Sequence, residues 1–390
     1  MARKLKIGLA LSGGGSRAIA FHLGCMRALH DKGILDRVNL ISSISGGSVI
    51  AALYAYFDEP FDQFENRTEE LLRKGLLKGI AHKTLFSSET PKIAGTVLTS
   101  GLLAFAGKLL SMFIGLLEMV GIKGALTKNI ALAVQAPLPR YASRTTAFAK
   151  YLDDVVFHEK LIPEIERRNL EVVINATELR TGTAFRYGTK ECGSWRFGKL
   201  VEPVSVAKAV AASAAFPAFL PAFDEFQLFS KQGKTTSHRT IITDGGVYDN
   251  LGISCLIPGR DAKISTNVSD VDFIICCVAG QGLPDASQIS YLWDSRMSAT
   301  VSAIHRRTHS MSFDLLHRIA RSGEIKGFIL PYLGQQDESL PCPPPDLVPR
   351  NETFDYPTDF NPMNEKDIER ISLRGEQLTR NLLETYHPDL

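Results

Sequence analysis

The sequence predicts an α/β fold, a three-layer α/β/α sandwich around a mostly parallel sheet, with an apolar helical insertion. Three observations point there. The first sixty residues hold two strand–turn–helix units in tandem. Short apolar runs suited to buried strands recur at 172–177, 183–187, 240–243 and 271–278. Residues 60–150 interrupt this rhythm, and within them 93–122 carry only two charges, Lys108 and Glu118.

The elements follow in order. Residues 5–11 are apolar and end in Ser12-Gly-Gly-Gly-Ser-Arg17. Ile19, Leu23, Met26 and Leu29 then recur at helical spacing as far as Gly33. A second strand over 38–44 meets Ser45-Gly46-Gly47 and a second helix to Tyr56. After the insertion come strands near 172–177 and 183–187, and a small-residue helix over 204–214 closed by Phe216-Pro217. A short strand at 240–243 leads into Asp244-Gly245-Gly246, and 271–278 is a strongly apolar strand. Residues 289–321 read as a long helix and 340–349 as a proline-rich extended segment. Asn364 is an N-cap for a last helix that runs to about Tyr386. One domain is expected over 1–330, with 331–390 packed on it.

Composition narrows the function classes. The chain has 390 residues, 44% hydrophobic and 22% charged, with a net charge of +2. No basic run or aromatic–basic alternation asks for nucleic acid. The six cysteines form no C-x-x-C pair, so no metal site is expected. Cys276 and Cys277 sit in an apolar run and read as reduced, buried thiols of a cytoplasmic protein. The start of the chain reads as a first strand and not as a signal peptide.

Three turns carry candidate chemistry. Ser45 stands between a strand and a helix with small neighbours, Ser43, Gly46 and Gly47, as a nucleophile elbow requires. The helix that follows favours negative charge at its N-terminus. Consecutive glycines at Gly13, Gly14 and Gly15 let amide N–H groups converge on an anion, either a phosphate or the oxyanion of an ester intermediate. The loop lacks both P-loop and G-x-G-x-x-G spacing, and Arg17 adds positive charge beside it. Asp244 ends a strand before two glycines, where its carboxylate reaches a neighbouring strand end. Taken singly, each of the three also reads as an ordinary turn, and Arg17 as a surface ion pair.

Together, Gly-Gly-Gly-x-Arg, a serine elbow about thirty residues on and a distant Asp-Gly-Gly resemble the patatin-like phospholipases. Asn175-Ala-Thr-Glu-Leu with Thr181-Gly182, the segment Ala212-Ser-Ala-Ala-Phe-Pro217, and Asn250 after Asp244 extend the likeness over residues 5 to about 280. The resemblance implies a phospholipase A or lysophospholipase using a Ser45–Asp244 dyad. It implies an oxyanion hole from Gly13, Gly14 and Gly15 with Gly46, substrate contact by Arg17, and no cofactor. A neutral-lipid esterase or thioesterase of the same fold, and a non-catalytic lipid-binding module, are the alternatives.

Two questions stay open at this level. A Ser–Asp–His triad would draw on His305, His309, His317 or His387; the first two, beside Arg306 and Arg307, read as a solvated helix face. His22 and His30 read as core or surface histidines. Residues 93–122 are long enough to span a bilayer, but the two charges and Gly95, Gly101, Gly107 and Gly115 suit a membrane-surface lid or a buried cap as well. The partners expected are a phospholipid or other lipid ester and a membrane surface met peripherally.

Overall fold

The computed structural model describes residues 5–119, 138–217, 219–261, 263–282 and 291–390. Its sheet has two halves. Strands β10 (Gly327–Ile329), β9 (Phe273–Cys277), β1 (Ile7–Leu11), β2 (Val38–Ser43) and β3 (Glu171–Glu178) pair in parallel in that order. From β3 onward every pairing is antiparallel, through β4 (Thr183–Gly188), β5 (Cys192–Ser194), β6 (Gly198–Leu200), β7 (Phe223–Lys231) and β8 (Lys234–Asp244). Strand β8 then returns to pair with β3. Half of the sheet therefore closes on itself as a barrel, with the parallel strands as a wing. This corrects the expectation of a mostly parallel sandwich. The parallel units were visible because their strands are short and largely buried beside glycine- and serine-rich turns, whereas β7 and β8 carry polar residues along most of their length and resemble loops.

Strand β1 leads through the glycines into α1 (Gly15–Asp31), and β2 leads through Ser45 into α2 (Gly46–Ala55). Helices α3 (Phe61–Lys74), α4 (Leu77–Leu85) and α5 (Glu89–Met119) occupy the insertion, and α6 (Arg144–Leu152) returns to the sheet. Helix α5 is apolar along its length, yet Leu98, Leu102, Phe105, Leu109 and Phe113 are exposed, which removes the buried-cap reading for its described part. The part of the apolar stretch beyond Met119 lies outside the described residues. The small-residue helix is α7 (Val206–Ser213), followed by a single turn, α8 (Gly246–Asp249), the long α9 (Trp293–Arg321) and α10 (Glu365–Tyr386). Asn364 caps α10, its side chain accepting the Asp367 N–H at 2.9 Å.

Helix α10 locks the chain's last segment onto α1. A Cβ on Gly24 would stand 1.7 Å from the Ser372 carbonyl oxygen, and one on Gly375 2.3 Å from that of Phe21. Only glycine on both helices permits so close a crossing. On its other side, the buried Arg374 donates to the carbonyls of Leu333, Val348 and Gln335, while Asn381 holds those of Pro341 and Cys342. The proline-rich segment, which has few backbone partners of its own, is thereby stapled by side chains of α10.

Candidate active site

Two strands converge to build the site. Strand β4 occupies one edge of β3, so β2 and β8 share the other. Strand β2 runs up that edge as far as Ser43, opposite Ile174, while β8 runs down it to Asp244, opposite Ala176. The strand ends meet head to head, with Asn175 between them. Its side-chain amide donates to the Ser43 carbonyl at 3.1 Å and to Ser42 Oγ at 2.9 Å, and Arg186 donates to its Oδ1 at 3.2 Å. Serine at 43 fits the elbow because its hydroxyl turns to the Val173 carbonyl.

Ser45 sits at φ 52°, ψ −120°, immediately before α2. A non-glycine residue in this region is strained by about 1–3 kcal/mol, and the surroundings must hold it there. Ser213, at the end of α7, does so. Its Oγ accepts the Ser45 N–H at 2.9 Å, lies 2.9 Å from Ser48 Oγ and donates to the Asn175 carbonyl at 2.6 Å. The same helix end positions the aspartate, since Gly245 N–H donates to the Ser213 carbonyl and Asp244 N–H to that of Ala215.

Asp244 Oδ1 accepts the Gly246 N–H at 2.6 Å, and the Ser45 side chain is near enough to favour the charged carboxylate. Burial pushes its carboxyl up to about 7, against the two neighbours that favour the charged form. A base poised near neutrality is suited to taking a proton from a hydroxyl. No histidine is among the groups that set its titration.

The glycine loop lies against this pair. A Cβ on Gly13 would come within 3.3 Å of Ser45 Cβ, and one on Gly46 would strike the Gly15 carbonyl at 2.2 Å. Gly14 adopts φ 151° and Gly15 φ 61°, both open to glycine. The Gly13 N–H is turned to the Asn250 carbonyl at 3.3 Å, so it is already engaged. The Gly15 and Gly46 amides belong to first helical turns, where no acceptor within the helix exists.

Arg17 differs from its expected role as a substrate contact. It is 4% exposed, and its guanidinium donates to the carbonyls of Ala279 and Tyr356, bracing the loop from behind. Burial lowers it to about 10, still cationic at neutral pH. Asp359 adds to this brace by accepting the Ser16 N–H at 2.7 Å. His22 lies in the core beneath the loop, donating from Nε2 to the Ser12 carbonyl, while His30 stacks on Phe61. His305 and His309 are half-buried, contrary to the solvated-face reading. His309 Nε2 accepts from the Asn250 amide at 3.4 Å, and desolvation lowers the ring to about 4. Ser213 and Asp359 were not singled out as parts of the site, because each is remote in sequence and arrives by packing alone. Among the described residues, no cluster of His, Cys, Asp or Glu is arranged for a metal.

Comparison with known proteins agrees with this geometry. The family profile of the patatin-like phospholipases matches residues 9–257. A patatin-like phospholipase domain-containing protein of Aspergillus oryzae is 40% identical over 81 residues, which is 21% of this chain and 10% of that protein. The chain thus spans far less than two thirds of that relative. Human GIVD cytosolic phospholipase A2 shares the fold over 98% of this chain and 62% of its own, with 13% identity and a TM-score of 0.50. VipD from Legionella pneumophila aligns over 99% of this chain and 68% of its own, at 16% identity and a TM-score of 0.41. The chain belongs to the patatin-like phospholipase family.

Proposed function

We propose that the protein is a phospholipase A or lysophospholipase in which Ser45 attacks the acyl ester and Asp244 takes the serine proton directly. The observation that carries this reading is the meeting of the β2 and β8 ends on one edge of β3, which brings Ser45 beside the buried Asp244 carboxyl, raised to about 7. As Ser45 Oγ bonds to the carbonyl carbon, its proton moves to Asp244 and the carbonyl oxygen becomes an anion. The amides of Gly14 and Gly15, with Gly46, receive that charge, with Gly13 held back by Asn250. The C–O bond then breaks, Asp244 returns the proton to the leaving alcohol, and an acyl-Ser45 remains. Water, deprotonated by Asp244, releases the fatty acid. Neither a metal nor a cofactor enters these steps. The exposed apolar α5 supports work at a membrane surface, and the buried free thiols Cys25, Cys276 and Cys277 fit a reducing, cytoplasmic setting.

The test is a panel of phospholipids, lysophospholipids, triacylglycerols and acyl thioesters, with release of fatty acid measured for wild type and Ser45→Ala. Hydrolysis confined to phospholipids or lysophospholipids and lost in Ser45→Ala is expected. Turnover of only triacylglycerols or thioesters would redirect the substrate, and release unchanged in Ser45→Ala would remove the nucleophile.

A further inference from the structure

We propose that the first half of α9, with the residues leading into it, is a membrane-docking helix that seats the Ser45 site on anionic lipid bilayers. This deepens the hydrolase reading and rests on it for the choice of lipid as partner. The two halves of α9 differ. Toward its C-terminal end, Leu316 and Ile319 are buried in the core beside β9, Phe313 packs edge-on against Tyr332, and His317 packs edge-on against Phe328. Toward its start, Trp293, Met297, Val301, Ile304 and Met311 form one stripe at helical spacing, and all five are exposed. Trp293 is 75% exposed and Ile304 60%, and Tyr291, just ahead of the helix, is 91% exposed.

An apolar stripe of this length facing water marks an interaction surface. The charge beside it selects the partner. Arg296 and Arg307, both exposed, fall on one flank of the stripe, while Asp294 is the sole acidic residue from 291 to 311. A tryptophan and a tyrosine at one end, an apolar face and an arginine flank are the features of a helix lying in the interface of an anionic bilayer. Arginine stems cover apolar surface while their heads reach lipid phosphates.

The position of α9 gives the docking a catalytic meaning. His309, just past the middle of the helix, contacts Asn250, and the Asn250 carbonyl holds the amide of Gly13, which abuts Ser45. Two contacts therefore connect the helix to the nucleophile. His309 and the stripe lie on different faces of the helix, so a bilayer held by the stripe grips the element that braces the nucleophile's loop.

The test uses Ser45→Ala protein, so that binding is read without turnover, in sedimentation with vesicles of phosphatidylcholine alone or with phosphatidylserine. Binding to the mixed vesicles, weakening with salt, is expected. Trp293→Ser/Ile304→Ser should reduce it at least tenfold, and Arg296→Gln/Arg307→Gln by roughly 25-fold, taking about fivefold per arginine near an anionic surface. In the Ser45 background both pairs should keep full fluorophosphonate labelling in solution, which certifies the fold. Leu102→Ser/Phe105→Ser on α5 is the control. Retained binding in both α9 pairs, or loss in the α5 control alone, would overturn the proposal. So would self-association broken by the α9 substitutions with no vesicle binding, which makes the face a contact between copies. An inactive wild type that still binds through α9 would sink the hydrolase reading and leave the docking intact.

Discussion

Asp244 carries two opposing demands. A carboxyl near 7 serves as a base but is costly to ionise in the fold, since its unfolded value is about 3.9. Between those values the folded protein holds more protons than the unfolded chain, so this group lowers stability as pH rises from about 4 to 7. Asp244→Asn keeps an acceptor for the Gly246 N–H and removes the charge. The expected result is a stability above wild type at pH 8 by up to about 4 kcal/mol, seen as a higher melting temperature, with the gap shrinking toward pH 4. Thermal melts at the two pH values check it. Ser45 is strained in the same sense, so Ser45→Gly should be more stable than Ser45→Ala by about 1 kcal/mol, although both are inactive. Ser45, Asp244 and the three glycines were legible as candidates only in combination, because each turn alone also reads as an ordinary one. The inward turn of Arg17 was not, because nothing in its neighbours reveals that the carbonyls of Ala279 and Tyr356 will be waiting.

At the scale of elements, the end of α7 is the joint on which nucleophile and base depend together. Ser213→Ala leaves the Ser45 N–H buried without an acceptor, at a cost of about 1–3 kcal/mol. It should lower kcat far more than it raises KM, because it displaces the serine without touching the substrate, and Ser213→Thr should restore part of the loss. Equal changes in both constants would show that α7 acts only through stability. Gly46→Ala should abolish labelling of Ser45, since its methyl group meets the Gly15 backbone and pries the elbow from the loop. The sequence announced α7 by its alanines and serine. It did not announce the approach of β8 to β3, because β8 is exposed and polar along its first half and only its last few residues, Thr240 and Ile242 to Asp244, are buried like the core.

Across the whole molecule, the catalytic wing and the closed antiparallel half meet along a single edge of β3, and the C-terminal helix holds the wing from behind. Gly24→Val should therefore unfold the protein or prevent its accumulation, as a side chain there cannot coexist with the Ser372 backbone. Soluble expression and circular dichroism decide it. The two tandem strand–turn–helix units exposed the parallel wing at once. The barrel closure depends on pairings between residues about seventy positions apart, such as Glu178 with Ile242, and leaves no local pattern. The link between α10 and the glycine loop, through Asp359 and Tyr356, is equally non-local.

The claim at the centre is that Asp244 alone deprotonates Ser45. The rate of fluorophosphonate labelling of Ser45 across pH 5–9, for wild type, Asp244→Asn and His309→Gln, tests it most directly. The wild-type rate should rise with pH and level off above about 7, following the carboxyl. Asp244→Asn should lose that limb and fall by roughly 10²–10⁴, while His309→Gln keeps the limb. A limb that survives in Asp244→Asn, or disappears in His309→Gln, would contradict the dyad and make the histidine its base.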